Sequence, residues 1–517
     1  MIGFSRGRPV LGAAASAVAL LALAPLCYLV IRAFDGGTEK AWGLLFRQRT
    51  LDLMLRSIAL TVVVALSCVV LGVGLAWLTT RTDLPMRRFL GVCLTIPLAI
   101  PSYVAGYTWI SQFPFLAGFP GAALVLTASS FPLVMLPVSA ALASADPGMS
   151  EVARTLGRSE MWTVLTVELR RVAPVAAAGA LLAALYTLSD FGAVALMRYE
   201  AFTLGIYNAY RGGFDRTAAA ILGLVLVVLA LVCTLIERWV RSGATARVGS
   251  GSPRRAELVQ LGRWKFPASV CAFGVLAISV LVPLGGLARW LARSVRFTID
   301  WSDVLATTVE TVELSATAAV VVTVLAFPVA LFAARSSSSA ARMAEISTYV
   351  AHGLPGITVG LAVVFLGIRF LPSIYQTTTL LIVAYVVLFL PLAVGSTRSA
   401  IDASPLVLED VSRVLGSGRL RTDLRVTIPI ALPAITAGAA LVFLTVAKEL
   451  PATLMLRPRG VDTLATELWS TAQVFKYGEA APYALALILV SALPTFVLGR
   501  VLRGNSVDGR TVVKGQV

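Results

Sequence analysis

The chain has 517 residues, 58% of them hydrophobic and 14% charged, with a mean hydropathy of +0.85. Soluble domains are about 45–50% apolar and about 25% charged, so a disordered chain, a secreted disulfide scaffold and an ordinary water-soluble enzyme are excluded, and an all-α polytopic membrane protein is expected. The formal net charge of +16 then needs a cause, and in this class loop asymmetry explains a basic excess without nucleic acid.

A helix of about 20 apolar residues crosses a bilayer core. In chain order such stretches lie near 10–31, 57–80, 90–111, 119–142, 174–197 and 217–237, then near 267–288, 309–334, 344–368, 376–397, 433–456 and 481–499. The first follows Arg6 and Arg8 as a signal peptide would, but its apolar run exceeds 20 residues and more spans follow, so an uncleaved anchor is expected. Pro132 and Pro137 mark the fourth stretch as irregular, and Pro391 the tenth. With both termini in the cytoplasm, the inner segments hold 27 Lys and Arg against 13 Asp and Glu, which is +14 of the +16. The densest basic stretch, 238–265, also carries Gly249, Ser250, Gly251, Ser252 and Pro253 and reads as a flexible cytoplasmic linker.

Cys27, Cys68, Cys93, Cys233 and Cys271 all lie in apolar stretches and form no CxxC pair, so they read as small hydrophobes. His352 is the single histidine, which excludes a His cluster for metal and a His-dependent triad. None of the five lysines stands in GxxxxGK[ST], so the chain has no P-loop of its own. No cofactor and no resident metal are expected.

The linker separates two copies of one unit. At a shift of 254, Ser57 falls on Thr311, Leu60 on Leu314, Arg81 on Arg335, Pro101 on Pro355 and Gly106 on Gly360. At a shift of 259, Pro132 falls on Pro391, Arg154 on Arg413, Gly157 on Gly416, Pro174 on Pro433 and Gly179 on Gly438. The resulting domains are 1–240, a linker at 241–266, 267–503, and a cytoplasmic tail at 504–517. Each half holds six spans in the same orientation, and a parallel repeat of this kind places a pathway between its halves.

The loops after the fourth span of each half, near 143–173 and 402–432, are the most informative segments. One reads Glu151-Val-Ala-Arg-Thr-Leu-Gly157 and the other Asp410-Val-Ser-Arg-Val-Leu-Gly416. An acid opens a short helix where it favours the dipole. Leu156 or Leu415 offers an apolar contact, Gly157 or Gly416 ends the turn left-handed, and Pro174 or Pro433 suits the first turn of the next span. A short helix joined stiffly to a span suits the passing of movement from a partner into the membrane.

These two loops resemble the EAA motif of binding-protein-dependent ABC importer permeases of the MetI-like fold. Half one departs from that motif at Val152, and half two at Asp410, Val411 and Ser412. The resemblance covers nearly the whole chain and implies that each loop is a coupling helix seated in an ATPase subunit. It implies one docking site at Glu151, Ala153, Arg154 and Gly157 and a second at Asp410, Ser412, Arg413 and Gly416. The partners implied are two ABC ATPase subunits that use ATP, an extracytoplasmic binding protein and the lipid bilayer of a bacterial inner membrane. A fused tandem is similar to the ferric iron permeases and to the thiamine permeases. The stretches 187–208 and 448–466 resemble the iron group.

Those stretches also hold Asp190, Lys448 and Glu449, the charges placed deepest in a span. Asp190 and Glu449 are equivalent at the shift of 259. Deep acids usually face a cavity or a partner, so the pair is expected on the translocation pathway, where carboxylates suit a hard cation. The bland reading is structural, with Lys448 neutralising Glu449 and Asp190 capping a broken helix. The GxxxG at Gly356 and Gly360, and its counterpart at Ser102 and Gly106, are explained by close helix packing. Their shared register after Pro101 and Pro355 also predicts a break. A twelve-span secondary transporter is the rival class, but 81–88 lacks the Gly-x-x-x-Asp-Arg type of motif.

Overall fold

The computed structural model describes residues 9–144, 148–212, 216–245, 258–294, 299–352 and 354–492. Nearly all of them are helical. The first repeat runs through α1 (Pro9–Phe34), α2 (Thr38–Leu45), α3 (Gln48–Arg81), α4 (Arg87–Cys93), α5 (Ser102–Gln112), α6 (Phe119–Ser130) and α7 (Pro132–Ala143). It continues through α8 (Gly148–Thr155), α9 (Glu160–Thr163), α10 (Leu169–Ser189), α11 (Gly192–Leu196), α12 (Phe202–Arg211) and α13 (Arg216–Thr245). The second repeat starts with α14 (Lys265–Leu276), α15 (Val282–Ser294), α16 (Trp301–Arg335), α17 (Ser339–His352), α18 (Gly356–Phe370) and α19 (Thr378–Asp402). It ends with α20 (Leu406–Val414), α21 (Arg419–Thr422), α22 (Ile428–Ala447), α23 (Pro451–Leu456), α24 (Leu464–Gln473) and α25 (Tyr477–Ala492).

Among the described residues nine helices are long and apolar enough to cross a membrane. The pair Arg87–Leu98 and Ser102–Gln112 is long and apolar enough for a tenth only when taken together, and it is bent by 93°. Two shorter apolar helices, α18 and α25, fall on two more of the twelve stretches. The breaks follow backbone chemistry. Pro101 and Pro355 each precede the first residue of a helix in an extended conformation (ψ 141° and 139°), which the preceding helix cannot contain. Pro391 behaves otherwise: α19 runs through it for 25 residues, so the irregularity expected there is absent. Pro174 and Pro433 lie inside α10 and α22 rather than in a first turn, because both spans begin earlier.

In α3 the residues Leu53, Ser57, Leu60, Thr61, Val64, Cys68, Gly72 and Leu75 recur every three or four positions and are buried. Leu55, Val62, Leu66 and Val70 occupy the other face and are exposed. With apolar residues all round, the buried face is set by small and polar side chains that let helices approach closely, as expected where lipid removes the hydrophobic drive between helices. Gly72 is the clearest case, since a Cβ there would stand 2.7 Å from the Cβ of Val134 on α7.

The described chain divides into two compact units that do not coincide with the sequence repeats. One comprises 1–37, 300–468 and 482–517, and the other 38–299 and 469–481. The first helix of each repeat therefore belongs to the unit of the other. Within the first unit α1 packs on α16, α17 and α18, with Tyr28 edge-on to Phe370 at 5.4 Å. Within the second, α15 packs on α5, and Trp290 Nε1 donates to Ser111 Oγ at 2.9 Å.

The linker expected to be flexible lies in part outside the described residues; 241–245 continues α13, and 259–265 is docked. Val259 N–H donates to the Arg81 carbonyl at 2.8 Å, and the Asp83 N–H to the Val259 carbonyl at 3.2 Å. The Asp83 carboxylate accepts from the Leu261 N–H and from Lys265 Nζ, both at 2.9 Å.

Candidate functional site

Two sets of residues stand at equivalent places in the two repeats: four helix breaks and two short amphipathic helices. In the second unit α10 stops at Asp190, whose backbone is extended (φ −69°, ψ 130°), and α11 starts two residues later. The side chain turns back as the cap of α11. Asp190 Oδ1 accepts from the N–H groups of Ala193 and Val194 at 3.0 and 3.3 Å, and Ser102 donates its hydroxyl to the other oxygen. Ser102 is the first residue of α5, so the break in one span is tied to the break in another.

The first unit repeats the arrangement with different residues. α22 ends at Ala447, and Lys448 and Glu449 lead into α23. Glu449 accepts from the N–H groups of Ala452 and Thr453 at 2.9 Å each and from the Thr453 hydroxyl at 2.6 Å. Gly356, the counterpart of Ser102, lies against that carboxylate, since a Cβ on it would come within 2.8 Å of Glu449 Oε1. Gly106 and Gly360 let the broken spans meet, as their Cβ atoms would stand 3.3 and 2.9 Å from the Cα atoms of Ala193 and Ala452. Both acids therefore sit at breaks and cap short helices, which mid-span hydropathy does not reveal.

The loop motifs form α8 and α20. Both end in a left-handed glycine, Gly157 at φ +76° and Gly416 at φ +86°. The chain closes each end with a backbone bond spanning five residues, Arg158 N–H to Ala153 carbonyl at 3.1 Å and Ser417 N–H to Ser412 carbonyl at 3.0 Å. These are Schellman closures, which need φ > 0 at one residue and so favour glycine. The expected acids do not open the helices: α8 starts at Gly148 and α20 at Leu406, which puts Glu151 and Asp410 a turn further in. Ala153 is buried, while the side chains of Glu151 and Arg154 lie outside the described residues. Asp410 and Arg413 pair at 3.3 Å, and the hydroxyls of Ser412 and Thr422 lie 3.1 Å apart. Leu156 and Leu415 are 74% and 79% exposed, and Leu406, Val407, Val411 and Val414 are exposed too.

Two features carry no mark in the motif. Glu409, one residue before Asp410, is fully buried and holds a charge network with Arg335. After each short helix comes a π-helical turn, Val164–Glu168 and Asp423–Thr427, at the same repeat register. The acid at Glu409 was visible in sequence as the charge adjoining the motif, but its burial depends on Arg335, 74 residues away.

Tandem helical repeats, broken spans and paired glycine-closed helices define a membrane permease built as two fused halves. The family model described as "Binding-protein-dependent transport system inner membrane component" matches residues 68–245 and again 326–504, and the chain belongs to that family. It is 32% identical to the Fe(3+)-transport system permease protein FbpB 2 of Haemophilus influenzae over 92% of this chain and 94% of that protein. It is 27% identical to the sulfate transport system permease protein CysT of Salmonella typhimurium over 43% of this chain and 87% of that protein. The molybdenum transport system permease protein ModB of Escherichia coli is 27% identical over 34% of this chain and 87% of its own length.

Proposed function

We propose that this permease imports ferric iron, received from an extracytoplasmic binding protein and driven by two ATPase subunits seated on α8 and α20. The observation that carries the cargo is the match to an Fe(3+)-transport permease along 92% of the chain, whereas the sulfate and molybdenum relatives match less than half of it. The seating is supported by two short helices that leave apolar side chains uncovered beside charged ones, a composition suited to a protein groove. Glu151, Ala153, Arg154 and Gly157 would form one seat, and Asp410, Ser412, Arg413 and Gly416 the other. ATP is then used by the partners, the loops and both termini face the cytoplasm, and the chain is a transport subunit with no bound cofactor.

Asp190, Lys448 and Glu449 belong, in this reading, to the route of the cargo. Discontinuous helices are where transporters form their substrate sites, and non-helical backbone at membrane depth is tolerated where it is buried in protein or lines a cavity. The acids shape the route by holding the breaks open and add negative charge for a cation.

The test is ATP-dependent uptake into proteoliposomes containing the permease and its ATPase, with radiolabelled iron(III) presented on the binding protein. Iron accumulation is expected; accumulation of sulfate, molybdate or thiamine in place of iron would overturn the cargo. Asp190→Asn with Glu449→Gln keeps cap acceptors and removes both charges. Its uptake should fall several-fold with assembly intact, and unchanged uptake would remove the acids from the route.

A further inference from the structure

In the second repeat the short helix α20 is bound to the membrane helices through one buried carboxylate. Arg335, at the end of α16, donates from Nε and Nη2 to Glu409 Oε1 at 3.0 and 2.8 Å, and also to the Ile401 carbonyl of α19 at 2.9 Å. Thr427, the last residue of the π turn before α22, donates its hydroxyl to the same Oε1 at 3.0 Å. Arg413 reaches Oε2 at 3.3 Å. The side chains of Arg335 and Glu409 are 9% and 1% exposed. A buried pair of this kind has strong geometric demands, because loss of one partner strands the other charge.

The first repeat fills these places differently. Arg335 corresponds to Arg81, Glu409 to Ser150 and Thr427 to Glu168. The carboxylate has moved from the short helix to the spanning helix, where Glu168 accepts from Trp77 Nε1 at 3.2 Å. Arg81 is as buried as Arg335, yet its Nε has no partner and it forms no ion pair among the described residues. The short helix of the first repeat has an uncharged residue where that of the second has its tether.

We propose that Glu409 is a positioning residue that makes α20 a rigid transmission of this permease. Movement imposed on α20 reaches α16, α19 and the base of α22 together, because all three converge on Glu409 directly or through Arg335. A cavity of about 870 Å³ beside the tether, lined among others by Ser336, Ser338, Arg342 and Arg398, gives α20 room to shift if the tether is lost. The inference rests on the reading that ATPase subunits seat on α8 and α20.

The decisive variant moves the carboxylate as the first repeat does, Glu409→Ser with Thr427→Glu. The new acid starts from a side chain already 3.0 Å from Glu409 Oε1, which leaves a carboxylate in the neighbourhood of Arg335 while α20 loses its tether. The readout is cargo moved per ATP hydrolysed by the full complex in proteoliposomes. The variant should copurify with the ATPase and hydrolyse ATP, with the transport-to-hydrolysis ratio lowered about 5-fold or more, the lower end of ordinary coupling between sites. A wild-type ratio would overturn the inference. If the relocation does not assemble, Arg335→Gln with Glu409→Gln removes both charges and is read in the same way. Failure of the wild-type chain to bind an ATPase would instead overturn the seating.

Discussion

At the scale of single residues, glycines separate the two kinds of position that the motifs mix together. Gly416 faces open space, and its need is for φ +86° alone. Left-handed backbone costs a residue with a Cβ about 1–2 kcal/mol, so Gly416→Ala should lower stability by that amount and Gly416→Asn by less. Gly360 has ordinary helical backbone, and its need is for room beside the Ala452 backbone 2.9 Å from a Cβ. Gly360→Ala forces α18 away from α23, an overpacking cost of about 1–3 kcal/mol, and Gly360→Val should prevent assembly. Thermal unfolding of the purified protein in detergent checks both. The order Val, Ala, wild type is expected at Gly360, whereas at Gly416 the two variants should rank by tolerance of left-handed backbone rather than by size. Sequence reading found both glycines through the repeat and the GxxxG pattern, since both leave a local trace. Glu409 leaves none: an acid beside an acidic motif looks solvated until α16 brings Arg335 to it.

At the scale of elements, what could be read depended on whether the cause was local. Hydropathy located the spans, and Pro101 with Pro355 located two breaks, because length and proline act on adjacent backbone. The breaks at Asp190 and Glu449 fall inside stretches that hydropathy reads as continuous, although Gly192 opens α11 and Pro451 opens α23. A carboxylate caps the new helix at each, and a cap leaves no trace in hydropathy. The π turns at Val164–Glu168 and Asp423–Thr427 are hidden for the same reason. The linker shows the reverse error, since a basic Gly/Ser composition hid the docking of 259–265 on 81–83. Its Asp83 carboxyl is held below the usual carboxylate range first by the Leu261 N–H and then by Lys265. A carboxyl lowered by folding contributes above its unfolded pKa and loses that contribution as pH falls through the folded value. The dock should thus be unchanged from neutral pH to about pH 4 and open below it. Asp83→Asn should weaken it at neutral pH and remove the acid transition. Fluorescence of Trp264, compared with a Trp264→Phe control, follows the opening, and an acid transition retained in Asp83→Asn would refute this assignment.

At the scale of the whole molecule, the repeat was legible as two halves, and the family model matches twice, at 68–245 and 326–504. The compact units follow another. Each takes its first helix from the opposite repeat, and the second also takes 469–481. No sequence pattern announces such an exchange, because α1 and α14 are apolar around most of their circumference, and the apolar face of α15, which also carries Arg289 and Arg293, would read the same against either set of neighbours. The exchange has a consequence for how the chain tolerates division. A fragment ending near 250 carries α1 without the α16, α17 and α18 on which it packs, and it lacks the α15 that covers α5. The complementary fragment has the converse defects. Each fragment made alone should be degraded or aggregate. Coexpressed in the same membrane, the two should restore the full set of helix contacts and copurify through an affinity tag on one of them. Recovery of uptake by the pair, with none from either fragment alone, is the expected outcome. A stable, monodisperse single fragment would show that the exchanged helices contribute little to either unit.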